Sequence, residues 1–274
     1  MTNHKRKSRK NKSGNKWQEA QTREMESWLE TDMTSNRLLS GWRDRIGDFR
    51  RVIRRCVPGS AILDVGSGPI SVLHTFPRVR RMVAIDPLND RYVSKYERLD
   101  YIEYISRKAE VLKFPDGSFD TVLCVNALDH MDRYLDALGE MVRVLKSGGM
   151  LYLEYENSSP LTVLLAKMGY RKPLDDFHPI LVRNKQVLTL LRRARFKIVE
   201  VRCRPQFSFK KVTAIFRILL GRQHMSTYEQ TISSTNYGMI RMFVHYCVIF
   251  LERIAFFFAP RSFGYFTVVI AVKR

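Results

Sequence analysis

Along the chain, short apolar runs alternate with longer stretches in which apolar residues recur every three or four positions. Ala61–Val65 is a short apolar run ending in glycines, and Met82–Ile85 is a second, ending at Asp86. Tyr101–Ile105, Thr121–Val125 and Met150–Tyr155 repeat the pattern, the last entered through the turn residues Lys146-Ser147-Gly148-Gly149. The amphipathic stretch Met131–Leu145 separates the fourth and fifth runs, Val182–Ala194 leads into Lys197–Val201, and Tyr265–Val272 closes the series. Short runs bounded by Gly, Pro or Asp read as buried strands, and a period near 3.6 reads as helix. Strands alternating with helices predict a doubly wound α/β sheet.

What flanks this core divides the chain further. Residues 1–16 are polar, basic and low in complexity, so a disordered tail is expected there. Residues 17–57 have helical character, with Trp28, Leu29, Leu38, Leu39 and Trp42 spaced among charges, before Pro58-Gly59-Ser60 punctuates the chain. The core is expected over 58–202, and the last strand within 265–274. Residues 203–264 exceed what the sheet needs and predict a basic, apolar helical lid. They contain the basic amphipathic stretch Phe209–Leu220 and the very apolar Ile240–Phe258. In the latter, Arg241, His245 and Glu252 fall within about 40° of one another on a helix, leaving one narrow polar stripe. Two readings follow: a helix packed on the sheet or over a cleft, or an interfacial helix dipping into lipid.

Charge sharpens the picture more than composition does. The 274 residues carry 47 Lys plus Arg against 27 Asp plus Glu, a net +20. That charge is placed unevenly: +7 in residues 1–16, −2 in 17–156 and +15 in 157–274. Such a field favours nucleic acid, an anionic membrane surface or a phosphorylated substrate. Cys56, Cys124, Cys203 and Cys247 form no CxxC pair, which argues against a disulfide scaffold or zinc ribbon and for a reducing cytoplasm; no metal site is expected. No apolar segment follows the basic start, so no secretory signal is expected. Met242–Leu251 reaches half the length of a spanning helix before Glu252 and Arg253 intervene.

The most specific chemistry lies in Ala61-Ile62-Leu63-Asp64-Val65-Gly66-Ser67-Gly68-Pro69. A strand that ends in glycines lets the backbone turn tightly and approach a ligand, and a helix is expected to begin near Pro69. Asp86, at the end of the second strand, can accept hydrogen bonds from both hydroxyls of a ribose. The dinucleotide fingerprint GxGxxG fails, because its third position is Ser71. Asp64, two residues before the first glycine, would repel a pyrophosphate but suits the amino group of a methionine-like cofactor. That favours S-adenosylmethionine over NAD.

In these features the chain resembles the class I S-adenosylmethionine-dependent methyltransferases, particularly the type 11 group related to quinone and small-molecule methyltransferases. The resemblance covers about residues 58–202. Asp64–Gly68 is similar to the first family motif and Val83-Ala84-Ile85-Asp86 to the second. Lys108–Asp120 resembles the stretch carrying the adenine contact, Val125–Met131 the segment lining the methionine side, and Arg143–Gly149 the turn before strand five. The resemblance implies a Rossmann-like sheet, mostly parallel with an antiparallel last strand. It also implies cofactor-binding roles for Asp64, Gly66, Ser67, Gly68, Asp86, Pro87, Ala109, Glu110 and Asn126. Three departures stand out: Ile70 replaces the third glycine, Lys108 stands where an acidic residue often contacts adenine, and Arg195 replaces the glycine usual before Phe196. Trp17, Ala20, Gln21, Glu24 and Trp28 resemble an amino-terminal helix that caps the cofactor cleft in many glycan-cluster methyltransferases. Read from spacing alone, they form an ordinary amphipathic helix.

Methyl transfer is largely positioning plus removal of one proton. The candidate catalytic residues are His130, where the family commonly has a histidine, and His178, in Asp175-Asp176-Phe177-His178-Pro179, which resembles a His-Pro of glycan-modifying members. An imidazole titrates in the range suited to that task. The segment Asn126-Ala127-Leu128-Asp129 lacks the Asn-Pro-Pro-Tyr type motif of base N-methyltransferases, which favours O-methylation of a small-molecule, sugar or lipid-linked acceptor. The cationic carboxyl-terminal part suits an anionic acceptor and peripheral contact with an anionic membrane at its inner, cytoplasmic face. The alternatives are a methyltransferase associated with RNA or other nucleic acid and a non-catalytic scaffold of the same fold.

Overall fold

The computed structural model describes residues 17–168, 180–204, 247–248, 250–252 and 254–274. A seven-stranded sheet runs in the order β3-β2-β1-β4-β5-β7-β6. Its strands are β1 (Ala61–Val65), β2 (Arg81–Ile85), β3 (Ile102–Ile105), β4 (Phe119–Val125), β5 (Leu145–Glu156), β6 (Phe196–Arg204) and β7 (Phe266–Lys273). The pairings β1–β2, β1–β4, β2–β3 and β4–β5 are parallel, whereas β7 runs antiparallel to both β5 and β6. This is a mostly parallel Rossmann-like sheet with an antiparallel last strand.

The central strands are apolar on both faces because both faces are covered. Leu63, Val65, Val83 and Val122 join the layer under the helices Tyr134–Val144 and Asn184–Arg193. Ile62, Met82, Leu123 and Tyr152 join the opposite layer with Phe49, Val52 and Leu73. Continuous burial of this kind is what a parallel sheet requires.

Two expectations need correction. No α-helix begins at Pro69; instead a 3₁₀ turn spans Val72–Thr75. Ser71 caps it by accepting from Leu73 N, and Pro77 follows two residues beyond its end, disfavouring helical backbone at Phe76. Residues Lys146–Gly149 lie inside β5 and do not precede it. They form a bulge in which four residues oppose the single Asp120, since Leu145 faces Phe119 whereas Met150 faces Thr121. Arg195 adopts φ 61°, a left-handed backbone that favours glycine.

Among the described residues, α1 over residues 17–30 and α2 (Ser35–Asp44), the latter capped by Thr34, precede the sheet, followed by a 3₁₀ turn at Ile46–Phe49 and a short helix at Arg50–Ile53. Residues 1–16 and 205–246 lie outside the described residues, and with them Phe209–Leu220, Arg241 and His245. Of the apolar stretch 240–258, residues 247–248, 250–252 and 254–258 are helical. Among the described residues, no helix is long and apolar enough to cross a membrane.

Candidate functional site

The site begins where β1 ends. Gly66 and Gly68 have φ of 72° and 60°, so the chain reverses with left-handed backbone at both. The amides of Gly66 and Ser67 donate to Ile85 O (2.8 and 3.0 Å), fixing this turn against the end of β2. A Cβ on Gly66 would lie 2.3 Å from Ala127 Cβ, whereas a Cβ on Gly68 would project into open space. Gly66 therefore serves packing beneath the turn, and Gly68 leaves room above it. Asp86 completes the cradle, accepting from Gly68 N at 3.0 Å and from Leu88 N at 2.9 Å. Each carboxylate oxygen thus spends one acceptor site on the backbone and keeps another for a ligand.

This cradle is the floor of a cavity of about 560 Å³, well within the roughly 300–1,000 Å³ of small-molecule sites. Asp64, Gly66, Ser67, Gly68, Asp86, Pro87, Ala109, Glu110 and Asn126 all line it, drawn from the carboxyl ends of β1, β2, β3 and β4. Asn126 is exposed at φ 54°, its amide held by Glu154 O at 2.7 Å. Glu110 accepts from Arg133 N at 3.0 Å. His130 also lines the cavity, while His178 lies outside the described residues. Among the described residues, no group of His, Cys, Asp and Glu side chains is arranged to hold a metal ion.

The floor is acidic and buried. Burial pushes the Asp64 carboxyl up to about 7, with repulsion from Asp86 adding to it and hydrogen bonds from Ser71 and Val72 opposing it. The Ser71 hydroxyl donates to Asp64 at 2.7 Å. Burial likewise raises Asp86 to about 6, helped by the charge of Glu24. Such a site favours a cationic group, which would relieve the repulsion between neighbouring carboxylates.

Helix α1 forms the roof. Trp17 Nε1 donates to His130 O at 2.7 Å, and Glu24 Oε2 lies 3.2 Å from His130 Nδ1. Burial lowers the His130 imidazole, but the hydrogen bond and charge of Glu24, with Asp129 and Asp86 behind it, outweigh burial and carry it up to about 9. His130 is accordingly a cation at neutral pH. Lys108 puts its ammonium 3.6 Å from the centre of the Trp17 ring. At the other end of α1, Tyr96 OH donates to Trp28 O at 2.6 Å and Lys95 binds the carbonyls of Trp28, Leu29 and Thr31. The residues Trp17, Gln21, Glu24 and Trp28 of α1 thus line the cleft.

Sequence reasoning missed the second wall. Arg37, Leu38, Gly41, Trp42 and Arg45 line the cavity from one face of α2 and its carboxyl end, and their spacing of three to four residues is the signal that could have found them. Trp42 Nε1 donates to the backbone Ile70 O at 2.9 Å, and the buried Ile70 side chain packs with Tyr92 and Tyr96, which gives the departure there a structural use. Arg45 is clamped by Glu154 on β5 at 2.5 Å and lies over the Trp42 and Phe49 rings.

Residues 63–153 match the methyltransferase domain family. The ubiquinone/menaquinone biosynthesis C-methyltransferase UbiE of Ectopseudomonas mendocina (strain ymp) is 33% identical over 144 residues, 48% of this chain and 56% of that protein. UbiE of Azotobacter vinelandii is 33% identical over 120 residues, 40% of this chain and 47% of that protein. The chain thus spans about half the length of the curated relatives it matches. Among solved structures, a protein of Bacillus halodurans C-125 superposes with a TM-score of 0.52 at 21% identity, covering 83% of this chain and 99% of that one. The YcgJ protein of Bacillus subtilis gives 0.51 at 18%, covering 84% and 99%. These last two likenesses are of fold.

Proposed function

We propose that the chain, whose residues 63–153 match the methyltransferase domain family, is a class I S-adenosylmethionine-dependent methyltransferase that transfers a methyl group from S-adenosylmethionine to a small-molecule acceptor. One observation carries this reading: Asp64 and Asp86 converge with the Gly66–Gly68 turn on a single buried acidic floor. The cofactor, when bound, supplies an electrophilic methyl group on a positively charged sulfur. An anionic dinucleotide would meet two carboxylates there, whereas a sulfonium with an ammonium group would be drawn in.

In this reading Asp86 accepts hydrogen bonds from the ribose hydroxyls with the acceptor sites its backbone partners leave open. Asp64 faces the cationic end, and its bond from Ser71 fixes its orientation. Gly66, Ser67, Gly68 and Pro87 shape the cradle, Ala109 and Glu110 border the base, and Asn126 borders the methyl-bearing end. Helices α1 and α2 exclude water above them, which strengthens each of these interactions.

The acceptor is assigned to the space along α2, where Leu38, Trp42 and Ile70 offer apolar surface and Arg37 offers a positive charge. We assign oxygen as the methylated atom, following the Asn126–Asp129 segment. Carbon is the second reading, favoured by relatives named as C-methyltransferases. His130, already protonated and paired with Glu24, is assigned a structural role in the roof and not that of base. Acceptance of the proton from a hydroxyl is assigned to His178 on the chemistry of its sequence segment.

The test is titration calorimetry with S-adenosylmethionine and S-adenosylhomocysteine on the wild type and Asp86→Ala. Two charge-assisted hydrogen bonds at about 1.5–3 kcal/mol each predict a loss of roughly a hundredfold or more. Near-wild-type affinity in the variant would refute the ribose assignment. Binding without transfer of labelled methyl to any of a panel of hydroxylated, quinol, sugar and RNA acceptors would favour a scaffold. The carbon-13 shift of a transferred methyl separates oxygen from carbon.

A further inference from the structure

Two linked helical segments leave large apolar side chains in water. Leu164 and Met168 project from the helix Pro160–Lys167 and its end, and Leu251, Ile254, Phe257 and Phe258 from the helical residues 251–252 and 254–258. Their exposures run from 42% for Ile254 to 86% for Phe258. Soluble proteins seldom leave such side chains grouped in water without a use for them.

The two helical segments are tied together through Glu252. Glu252 accepts from Thr162 Oγ1 at 2.7 Å and from the Ser159 hydroxyl. On a 3.6-residue period, Leu251, Ile254 and Phe258 share one face, while Glu252 lies about 100° round from Leu251. The anchor therefore holds the helix so that its apolar face turns outward.

Charge identifies what that face meets. Residues 157–274 carry +15, and the exposed Lys167 and Arg261 lie next to Met168 and three residues after Phe258 in the chain. Exposed phenylalanines beside Lys and Arg are the pattern of a surface that dips into the headgroup region of an anionic bilayer. We propose that this face docks on an anionic lipid membrane.

Topology gives the docking a consequence. Pro160–Lys167 follows the carboxyl end of β5, and the segment holding Phe257 and Phe258 leads into the start of antiparallel β7, where Phe266 pairs with Glu156. Parallel β1, β2 and β4 open the cavity at that same rim. Docking turns the cavity's rim toward the bilayer, so the acceptor class is an amphiphile carried in the membrane; this last step alone rests on the methyl-transfer reading.

The experiment is cosedimentation of the full chain with vesicles of phosphatidylcholine and of phosphatidylcholine with about one third phosphatidylglycerol. The expected result is pelleting with the anionic vesicles only, weakened at high salt. Met168→Ser/Phe258→Ser should reduce the bound fraction at least tenfold, and Lys167→Glu/Arg261→Glu should do the same. Calorimetry of S-adenosylhomocysteine on the same variants should match the wild type. That control reads the cofactor site independently, so a failure there is distinct from a failure to dock. No pelleting with anionic vesicles, or pelleting unchanged in both variants, would overturn the proposal. So would loss of a solution dimer in Met168→Ser/Phe258→Ser without any vesicle binding, because the face would then belong to a second copy of this chain.

Discussion

Removing the charge of Glu24 while keeping its shape tests how the roof is held. Glu24 lies 3.2 Å from His130 Nδ1, with both side chains only about a fifth exposed (21% and 18%), so solvent screens the pair weakly. His130 at about 9 against an unperturbed 6.5 corresponds to roughly 3 kcal/mol of preference for the charged form in the folded state. Burial alone would push the imidazole below 6.5, so the acids around it supply more than this net amount, and Glu24 leads them. Glu24→Gln is therefore expected to bring His130 down to about 7 or below and to destabilise the fold by roughly 2–3 kcal/mol at neutral pH. The sign follows from the raised value: the contribution is complete below about 6.5, where both folded and unfolded states carry the charge. It fades as pH rises through about 9, where the folded protein loses its proton too. Wild type and variant should thus differ near pH 6.5 and converge above about 10. Nuclear magnetic resonance titration of the histidine ring protons follows the first quantity and thermal melts at the two pH values follow the second. A resonance of His130 still titrating near 9 in Glu24→Gln, or an equal stability gap at both pH values, would sink the account.

Cofactor affinity should rise with pH between about 5 and 8, because binding favours the ionised forms of Asp86 and Asp64, which sit near 6 and 7 without ligand. Calorimetry near pH 6.5 in buffers of different ionisation enthalpy should then show net proton release, and proton uptake would contradict the assignment. Gly66→Ala forces a Cβ to 2.3 Å from Ala127 Cβ at a φ of 72°. Strain and overpacking together predict a cost of about 2–5 kcal/mol, a melting temperature lower by roughly 5–15 °C, and an unchanged melting curve would show that the turn relaxes freely. Asn157→Ala removes a buried side chain that donates to Ser262 O and Gly264 O and accepts from Asn184 N. Stranding those groups should cost about 3–5 kcal/mol by denaturant titration, with a loss under 1 kcal/mol showing that water replaces the amide.

How much was readable in advance depended on how local each feature is. β1 was legible to the residue at Ala61–Val65, and Tyr134–Val144 fell inside the expected Met131–Leu145, because burial on a sheet or one helix face prints a period on the chain. The Asp64–Gly68 and Asp86 cradle was legible because its residue types follow from backbone reversal and ribose chemistry. The bulge at Lys146–Gly149 was hidden: its Gly-Gly pair has turn composition, and only pairing with Phe119 and Thr121 shows that the strand continues through it. The 3₁₀ turn after Ser71 was hidden for a similar reason, since Pro69 suits a helix start while Pro77 cuts that helix short. Whether α1 packs or caps could not be decided from Trp17, Glu24 and Trp28 alone. That depends on His130, Lys108 and Tyr96, which lie far along the chain. Arg37 and Arg45 went unnoticed because charged residues on a helix usually mean a solvated face.

β7 occupies the gap between β5 and β6, yet it begins 62 positions after β6 ends at Arg204. During folding, β5 and β6 cannot meet each other directly; each must wait with one open edge for a segment that arrives from far down the chain. Met150 pairs with Val272, a loop closure of well over a hundred residues that makes this the slow step of assembly. Until it closes, the intermediate carries two unpaired edges beside an already formed parallel half-sheet, which is the kind of species that aggregates or recruits chaperones. Refolding yield should accordingly be set by protein concentration during this one insertion, and a peptide matching Phe266–Lys273 supplied in excess would compete for the same slot.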